Sequence, residues 1–148
     1  MGKYHYQTCG LDDVYLLNGY EVIEYGGEKA VSIHDLDGLH RLIGCTLAKQ
    51  DSRISGKEFR FLRLEMNQSQ KSIGVLFGVN EQTVANWEKK NNVPQMADAL
   101  IRSIYIESLG DDSKVRALLD LLASVDRATH RQEILFEKSD GNWVLQAA

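Results

Sequence analysis

The chain lacks the residues that mark several classes of protein. Its 148 residues include one proline and only two cysteines, Cys9 and Cys45, which are too few and too far apart for a disulfide framework. No apolar run is long enough to cross a membrane, and Met1–Tyr6 lacks the apolar core of a secretory signal. The hydrophobic fraction of 43% is enough for a core. We therefore expect a soluble cytoplasmic protein with one substantial domain or two small ones, and no membrane partner.

Signatures of catalysis are also scarce. The sequence has no glycine-rich loop of the kind that holds phosphates. Cys9 or Cys45 beside a histidine would make a nucleophile pair. His34, Asp35 and Asp37 would make an acid–base cluster, but the two aspartates better fit the start of a helix. We expect no enzyme and no catalytic residue.

Metal ligands are present in number but not in pattern. Structural zinc takes four nitrogen or sulfur ligands in a tetrahedron, whereas isolated cysteines and histidines usually serve as small apolar or ordinary polar groups. We expect no metal and no other cofactor. A zinc ion, if one is bound, would draw its ligands from His5, Cys9, His34, His40 and Cys45.

Charge is distributed unevenly along the chain. The whole chain carries a net charge of −4. Between Arg53 and Arg102, however, eight basic residues stand against five acidic ones, so this segment is +3 and the remainder is −7. A basic centre can attract phosphates despite acidic flanks, because local charge sets that attraction.

The most informative segment is Ser69–Glu88, whose pattern predicts two short helices joined by a tight turn. Ser69 and Asn80 suit helix N-caps, and Gly78 suits the left-handed conformation that ends a helix. Gly74 lies within the first helix, where glycine costs roughly 1 kcal/mol relative to alanine, which indicates a close packing contact. The residues expected to face the core are Ile73, Leu76, Phe77, Val84 and Trp87. Ahead of this segment, Ser55-Gly56-Lys57-Glu58 predicts a capping box at the start of another helix. The buried face of that helix is expected to comprise Phe59, Leu62 and Met66.

With this spacing the segment resembles the Xre/Cro-repressor family of helix-turn-helix proteins, over about Ser55–Leu109. The residues that carry the resemblance are Ser69-Gln70, Gly74, Gly78-Val79, Thr83-Val84, Trp87-Glu88 and Pro94. Two positions depart from the family pattern: Gly74 replaces the usual alanine, and Lys89-Lys90 stands where a glycine is common. The resemblance implies an all-α five-helix domain that places one helix in a DNA groove.

The second helix of the motif is then expected to face DNA bases. Glutamine and asparagine pair with adenine, and glutamate accepts from the cytosine amine, whereas phosphate contacts supply affinity and register. The expected base-reading residues are Gln70, Glu81, Gln82, Ala85 and Asn86. The expected phosphate-contacting residues are Arg60, Arg63, Lys71, Thr83, Lys89 and Lys90. The alternative is that these polar side chains form an ordinary solvated helix face.

The sequence predicts an α+β fold in three parts: a small mixed sheet-and-helix module (residues 1–52), the helix-turn-helix domain (53–109) and a C-terminal helix and β-hairpin (110–148). In the first part, Asn18-Gly19 between β-favouring runs (14–17 and 20–25) predicts a hairpin. Gly26-Gly27 then turns towards a third strand around Ala30–Ile33. A helix that begins at Asp35, Asp37 or Gly38 is expected to pack on the sheet.

The last part is expected to begin a helix at Asp111–Ser113, where negative charge complements the helix dipole. The apolar stripe of that helix is Val115, Leu118, Leu119, Leu122 and Val125. Asp140-Gly141 lies between two β-favouring runs and predicts a second hairpin. We expect this last part to pack on the N-terminal module, where the hairpin would extend the sheet, or alternatively to lie at a dimer interface.

The front segment is similar to MqsA-type antitoxin regulators, which join a zinc-binding or zinc-derived module to an Xre-type domain. The residues that carry this similarity are Tyr4-His5-Tyr6, Cys9–Asp12, Val14–Leu16, Asn18–Tyr20 and Gly38–His40. Metal-binding members have paired cysteines two residues apart, whereas this chain has only Cys9 and a distant Cys45, so the module resembles a degenerate zinc finger.

We therefore predict a transcriptional regulator, most simply a repressor, that binds a double-stranded DNA operator as a homodimer. The dimer follows from docking logic and from the resemblance. The alternative function is an antitoxin that neutralises a protein toxin through residues 1–52 and uses DNA binding to regulate its own operon.

Overall fold

The computed structural model describes residues 2–110, 114–122, 133 and 135–145. Helices and strands both occur in this part of the chain, so the fold is α+β, as predicted. The strands are β1 (Tyr4–His5), β2 (Tyr15–Leu16), β3 (Tyr20–Tyr25), β4 (Glu28–Ile33), β5 (Phe136–Ser139) and β6 (Asn142–Leu145). The helices are α1 (Leu36–Lys49), α2 (Gly56–Glu65), α3 (Gln70–Phe77), α4 (Glu81–Trp87), α5 (Gln95–Ser108) and α6 (Lys114–Leu122).

Helices α2–α5 form the centre of the molecule. A capping box starts α2: the Ser55 hydroxyl accepts from the backbone N–H of Glu58, while the Glu58 carboxylate accepts from the Ser55 N–H. Phe59 and Leu62 of α2 are fully buried, as the helical spacing predicted. Pro94 precedes α5, whose Ile101 is also fully buried.

The N-terminal strands pair differently from the prediction. The expected hairpin around Asn18-Gly19 is wrong, because β2 pairs with β1 rather than with β3. Strand β3 pairs with β4 instead. Gly26 and Gly27 join these strands with φ of 59° and 87°, the positive values that a tight hairpin turn requires. The third strand that was expected after these glycines is therefore the partner of β3.

Helix α1 was predicted to pack on a sheet, but its most extensive contacts are with the helices α5 and α2. Asp35 caps it, accepting from the Gly38 N–H at 3.1 Å, so the first of the three predicted starts is confirmed. The contact with α5 is close at Gly44, where a Cβ atom would lie 2.1 Å from the Tyr105 hydroxyl oxygen. Gly44 is therefore the position that lets the two helices approach.

The C-terminal elements are confirmed in kind but not in placement. Helix α6 packs against α5 and α3, and its Leu119 is 1% exposed. Strands β5 and β6 form the predicted hairpin, yet among the described residues this pair is a separate two-stranded sheet, so the expected extension of the N-terminal sheet is wrong. The predicted helix start at Asp111–Ser113 and the stripe residue Val125 lie outside the described residues.

A single apolar cluster runs through the described residues of all three predicted parts of the chain. It includes Leu11 and Leu47 from the first part, Phe59 and Ile101 from the second, and Leu119 from the third. The three parts therefore share a core. No helix in the described segments is long and apolar enough to span a bilayer.

Candidate nucleic-acid interface

Helices α3 and α4 form the tight two-helix unit that the sequence predicted. Ser69 and Ser72 cap the start of α3 reciprocally: each hydroxyl accepts from the other's backbone N–H, at 2.9 and 3.0 Å. Gly78 ends α3 in the left-handed conformation, with φ of 72°. Asn80 caps α4 by accepting from the Thr83 N–H at 2.8 Å. Local chemistry thus specifies both ends of the turn.

Gly74 is required by the turn that follows α3. A Cβ atom at this position would lie 2.7 Å from the backbone oxygen of Val79. The same contact includes a hydrogen bond, from the Val79 N–H to the Gly74 oxygen at 2.9 Å. Alanine, the usual residue in the resembled family, would push the turn outward. Gly74 therefore allows the close approach between α3 and the turn that follows it.

The inner face of α4 is fixed in an aromatic pocket. Val84 is fully buried and Trp87 is 7% exposed. The Trp87 ring meets Phe59 of α2 and Phe77 of α3 nearly edge-on, with centroid distances of 5.9 and 5.7 Å. Such edge-to-face pairs add about 0.5–1.5 kcal/mol beyond their area burial. The orientation of α4 is therefore set by its buried side.

The end of α4 also rests on the first turn of α2. The Gly56 N–H donates to the Lys90 oxygen at 2.9 Å. A Cβ atom on Gly56 would lie 2.4 Å from the Glu88 oxygen and 2.5 Å from the Trp87 oxygen. Both obstacles are backbone atoms, which cannot swing away as a side chain can. Gly56 was expected only as part of a capping sequence, and its contact with the backbone at the end of α4 was not predicted.

A buried ion pair ties α2 to the end of α4. The Arg63 guanidinium donates to both Glu88 carboxylate oxygens, at 2.7 and 3.0 Å, and these side chains are 7% and 5% exposed. Arg63 also donates to the Gln68 oxygen at 2.8 Å. Arg63 is thus enclosed within the protein, and this position does not fit the phosphate contact that was expected of it. The two residues lie on different helices, and no local sequence pattern marked them as partners.

Gln70 joins the same network from the start of α3. Its side-chain amide donates to the Glu88 carboxylate at 3.1 Å. Gln70 is half-buried, and this bond leaves its amide oxygen for an external partner. The Glu88 carboxylate therefore connects α2, α3 and α4 and orients one expected base-reading side chain.

The outer face of α4 carries most of the expected base-reading residues. Glu81, Gln82 and Asn86 are exposed, and Ala85 between them is half-buried. The Gln82 amide donates to the Asn86 side-chain oxygen at 3.1 Å, so the two amides are aligned along one side of the helix. Thr83 lies at the edge of this face, and its hydroxyl donates to the Asn80 side-chain oxygen at 2.9 Å.

The remaining expected phosphate contacts lie on the surface. Lys89 and Lys90 are exposed immediately after α4, and Arg60 is exposed on α2. Lys71 is exposed in the first turn of α3 and has an interaction within the protein. Lys71, Lys89 and Lys90 therefore place positive charge at the start of α3 and just after α4.

The candidate zinc ligands do not converge. No group of three or more His, Cys, Asp or Glu residues suited to a metal ion occurs among the described residues. His5 contacts the Asp12 backbone oxygen at 2.6 Å, and Cys9 donates weakly to the Tyr6 oxygen at 3.5 Å. His34 pairs with Glu21 at 3.5 Å. Cys45 lies half-buried on α1, a separate helix.

His40, a candidate zinc ligand, makes hydrogen bonds with Tyr6 and Glu65. The Tyr6 hydroxyl donates to His40 Nε2 at 2.8 Å, and His40 Nδ1 lies 2.6 Å from the Glu65 carboxylate. Burial, followed by the nearby Cys9 thiol, raises the pKa of Tyr6, which keeps the phenol a neutral donor. These two contacts, from Tyr6 to His40 and from His40 to Glu65, join the N-terminal segment to α1 and to the last residue of α2.

Comparison with known proteins assigns no family to the chain. No protein-family model, curated protein or solved structure matches it. The functional conclusion therefore rests on the residues and contacts of the chain itself.

Proposed function

We propose that this protein is a sequence-specific DNA-binding transcriptional regulator, acting as a repressor, that reads the major groove of a double-stranded operator with α4. It binds as a homodimer, so that two copies of α4 enter successive major-groove faces about 34 Å apart. In this proposal α2–α5, completed by a neighbouring helix, correspond to the five-helix domain of Xre-type proteins. In this domain Arg63 has a structural role, because its hydrogen bonds to Glu88 hold α2 against the end of α4.

The observation that carries the proposal is the contrast between the two faces of α4. The inner face is fixed by Trp87, by the backbone of Gly56 and by the Arg63–Glu88 pair. The outer face presents Gln82 and Asn86 to solvent, and the Gln82 amide donates to the Asn86 side-chain oxygen. A helix held this firmly, with two aligned amides outward, is suited to bidentate contacts with adenine.

Positive charge supports the same orientation. Lys89 and Lys90 follow α4, and Lys71 stands at the start of α3. Phosphate groups flank the major groove, so cations at both ends of the unit would hold α4 in register while its outer face meets the bases. The acidic remainder of the chain limits non-specific attachment to DNA.

Footprinting on the DNA upstream of the protein's own gene tests the proposal. We expect wild type to protect a discrete site and the double variant Gln82→Ala, Asn86→Ala to lose that protection. The matched control is Thr46→Ala, Ser103→Ala, which changes two exposed helical residues bonded only within their own helices. Equal protection by both double variants would show that α4 does not read bases.

A second candidate, an antitoxin that neutralises a protein toxin, is favoured by the exposed apolar residues of the β3–β4 hairpin. Val22 is 57% exposed, Ile23 46% and Tyr25 84%. Exposed apolar side chains such as these, which lie on both faces of the hairpin, suit a protein partner. Co-expression with the product of the neighbouring gene tests this role. Co-purification that Val22→Glu abolishes would favour the antitoxin, and a regulator that never captures that product would exclude it.

A further inference from the structure

The C-terminal hairpin exposes an apolar surface that the described residues of one copy leave uncovered. Phe136 is 64% exposed, Trp143 71% and Leu145 65%. Phe136 is paired with Leu145, and Lys138 with Trp143, so these four side chains share one face of the hairpin. An isolated two-stranded hairpin is only marginally stable in water. The hairpin therefore needs a further strand or a covering surface.

The two edges of this hairpin differ in charge. Strand β5 carries Glu137 and Lys138 at its middle, whereas β6 reads Asn142-Trp143-Val144-Leu145 and carries no charge. Charged residues on an edge strand oppose pairing with another chain. A two-fold pairing of β5 centred on Glu137 or on Lys138 would set like charges opposite each other. The β6 edge has no such obstacle.

The backbone of β6 fits such a pairing in one particular register. Asp140 and Gly141 have φ of 51° and 80°, which makes a primed two-residue turn. Ser139 and Asn142 then form a hydrogen-bonded pair, and pairs alternate along the hairpin, so Glu137 and Val144 form the next one. The N–H and C=O groups of Trp143 and Leu145 therefore point outward from the free edge of β6.

We propose that β6 pairs antiparallel with β6 of a second copy, about a two-fold axis at Val144, to make a four-stranded sheet. Trp143 of each copy then lies opposite Leu145 of the other, and their outward backbone groups exchange hydrogen bonds. Each row across the sheet runs Phe136, Leu145, then Trp143 and Lys138 of the second copy. Aromatic–aliphatic pairs of this type stabilise sheets, and the row covers apolar surface that one copy exposes.

This interface deepens the proposed function, because it rests on the proposed homodimer and supplies the surface that joins its two copies. The interface does not involve DNA, so dimerisation through β6 and base recognition by α4 are tested in separate measurements.

Disulfide trapping in the full-length chain tests the register. In a Cys9→Ser, Cys45→Ala background, Val144→Cys places two thiols in a non-hydrogen-bonded pair, with Cα atoms about 4.5 Å apart, within the range that a disulfide spans. We expect mild oxidation to convert most of this variant to a covalent dimer. Glu137→Cys, on the same face but at the outer edge, is the matched control and should stay monomeric on a non-reducing gel.

Sedimentation equilibrium on uncrosslinked protein provides the second measurement. Val144→Lys sets two ammonium groups opposite each other across the axis, so we expect its dimer to dissociate at least tenfold more readily than that of wild type. Glu137→Lys should dimerise as wild type does, and unchanged helical circular dichroism would show that both variants fold. A monomeric wild type, equal trapping at both cysteine positions or an undiminished Val144→Lys dimer would overturn the interface. A dimer that behaves as expected but protects no DNA would overturn the proposed function alone.

Discussion

Removing both members of the Arg63–Glu88 pair should cost less stability than the two single removals added together. Glu88→Leu alone leaves the Arg63 guanidinium buried without its carboxylate, and breaking a buried pair in this way costs about 3–5 kcal/mol. A domain is typically stable by about 5–15 kcal/mol, so the loss is a large fraction. With a urea m-value of about 2 kcal/mol/M, the midpoint should fall by roughly 2 M.

The double variant Arg63→Met, Glu88→Leu removes both charges and fills the site with apolar atoms. It still leaves the Gln68 oxygen and the Gln70 amide without their present partners, at a cost of about 1–3 kcal/mol each when buried. We therefore expect the double variant to be more stable than the sum of the two single losses predicts. Urea unfolding of wild type, Arg63→Met, Glu88→Leu and the double variant measures the four stabilities. Strictly additive losses, or single variants with the wild-type midpoint, would refute the reasoning.

Three further predictions concern Gly74 before the α3–α4 turn, the buried Tyr105 and the exposed Lys89. Gly74→Ala should lower thermal stability by on the order of 1 kcal/mol, because the clash with Val79 outweighs the helix propensity gained; a raised melting temperature would contradict this. Burial raises the pKa of Tyr105 to about 12, so its stabilising effect is complete below pH 10 and is lost as pH rises to about 12. In urea unfolding, the loss of stability between pH 10 and about pH 12 should therefore be about 2–3 kcal/mol smaller for Tyr105→Phe than for wild type. Tyr25→Phe, at an 84% exposed position, should lose as much stability as wild type does. Lys89→Ala should weaken binding to every DNA sequence and flatten the salt dependence by about one unit; an unchanged slope would mean that Lys89 touches no phosphate.

The sequence predicted the structure best where short-range chemistry specifies it. Ser69, Gly78 and Asn80 each act within a few residues of their own position, and all three take the predicted caps. The capping box at Ser55 and the hairpin turn at Asp140-Gly141 are likewise confirmed. In each case one or two residues carry a backbone preference that needs no distant partner.

Long-range partners were the part that the sequence did not reveal. Asn18-Gly19 is a strong local hairpin signal, but the adjacent Gly26-Gly27 turn gives β3 a six-residue partner in β4, and β2 pairs with β1. Arg63 was expected on the surface because arginine usually is. Its carboxylate partner lies 25 positions further along the chain, on another element.

The candidate site divides along the same line. The outward position of Gln82 and Asn86 followed from helical periodicity around Val84 and Trp87. The supports beneath α4, by contrast, are tertiary: Gly56 against the backbone of Glu88 depends on how two distant helices meet. Periodicity indicates which way a side chain points, but not what the other side of the helix rests on.

Selection of binding sites from a pool of random double-stranded DNA tests the central claim most directly, because it needs no knowledge of the operator. We expect enrichment of an inverted repeat whose half-sites lie about one helical turn apart. We also expect Gln82→Ala to relax the preference at one base pair in each half-site while the preferences at the other base pairs remain. Failure of the wild-type protein to enrich any sequence, or enrichment of an identical site by Gln82→Ala, would contradict it.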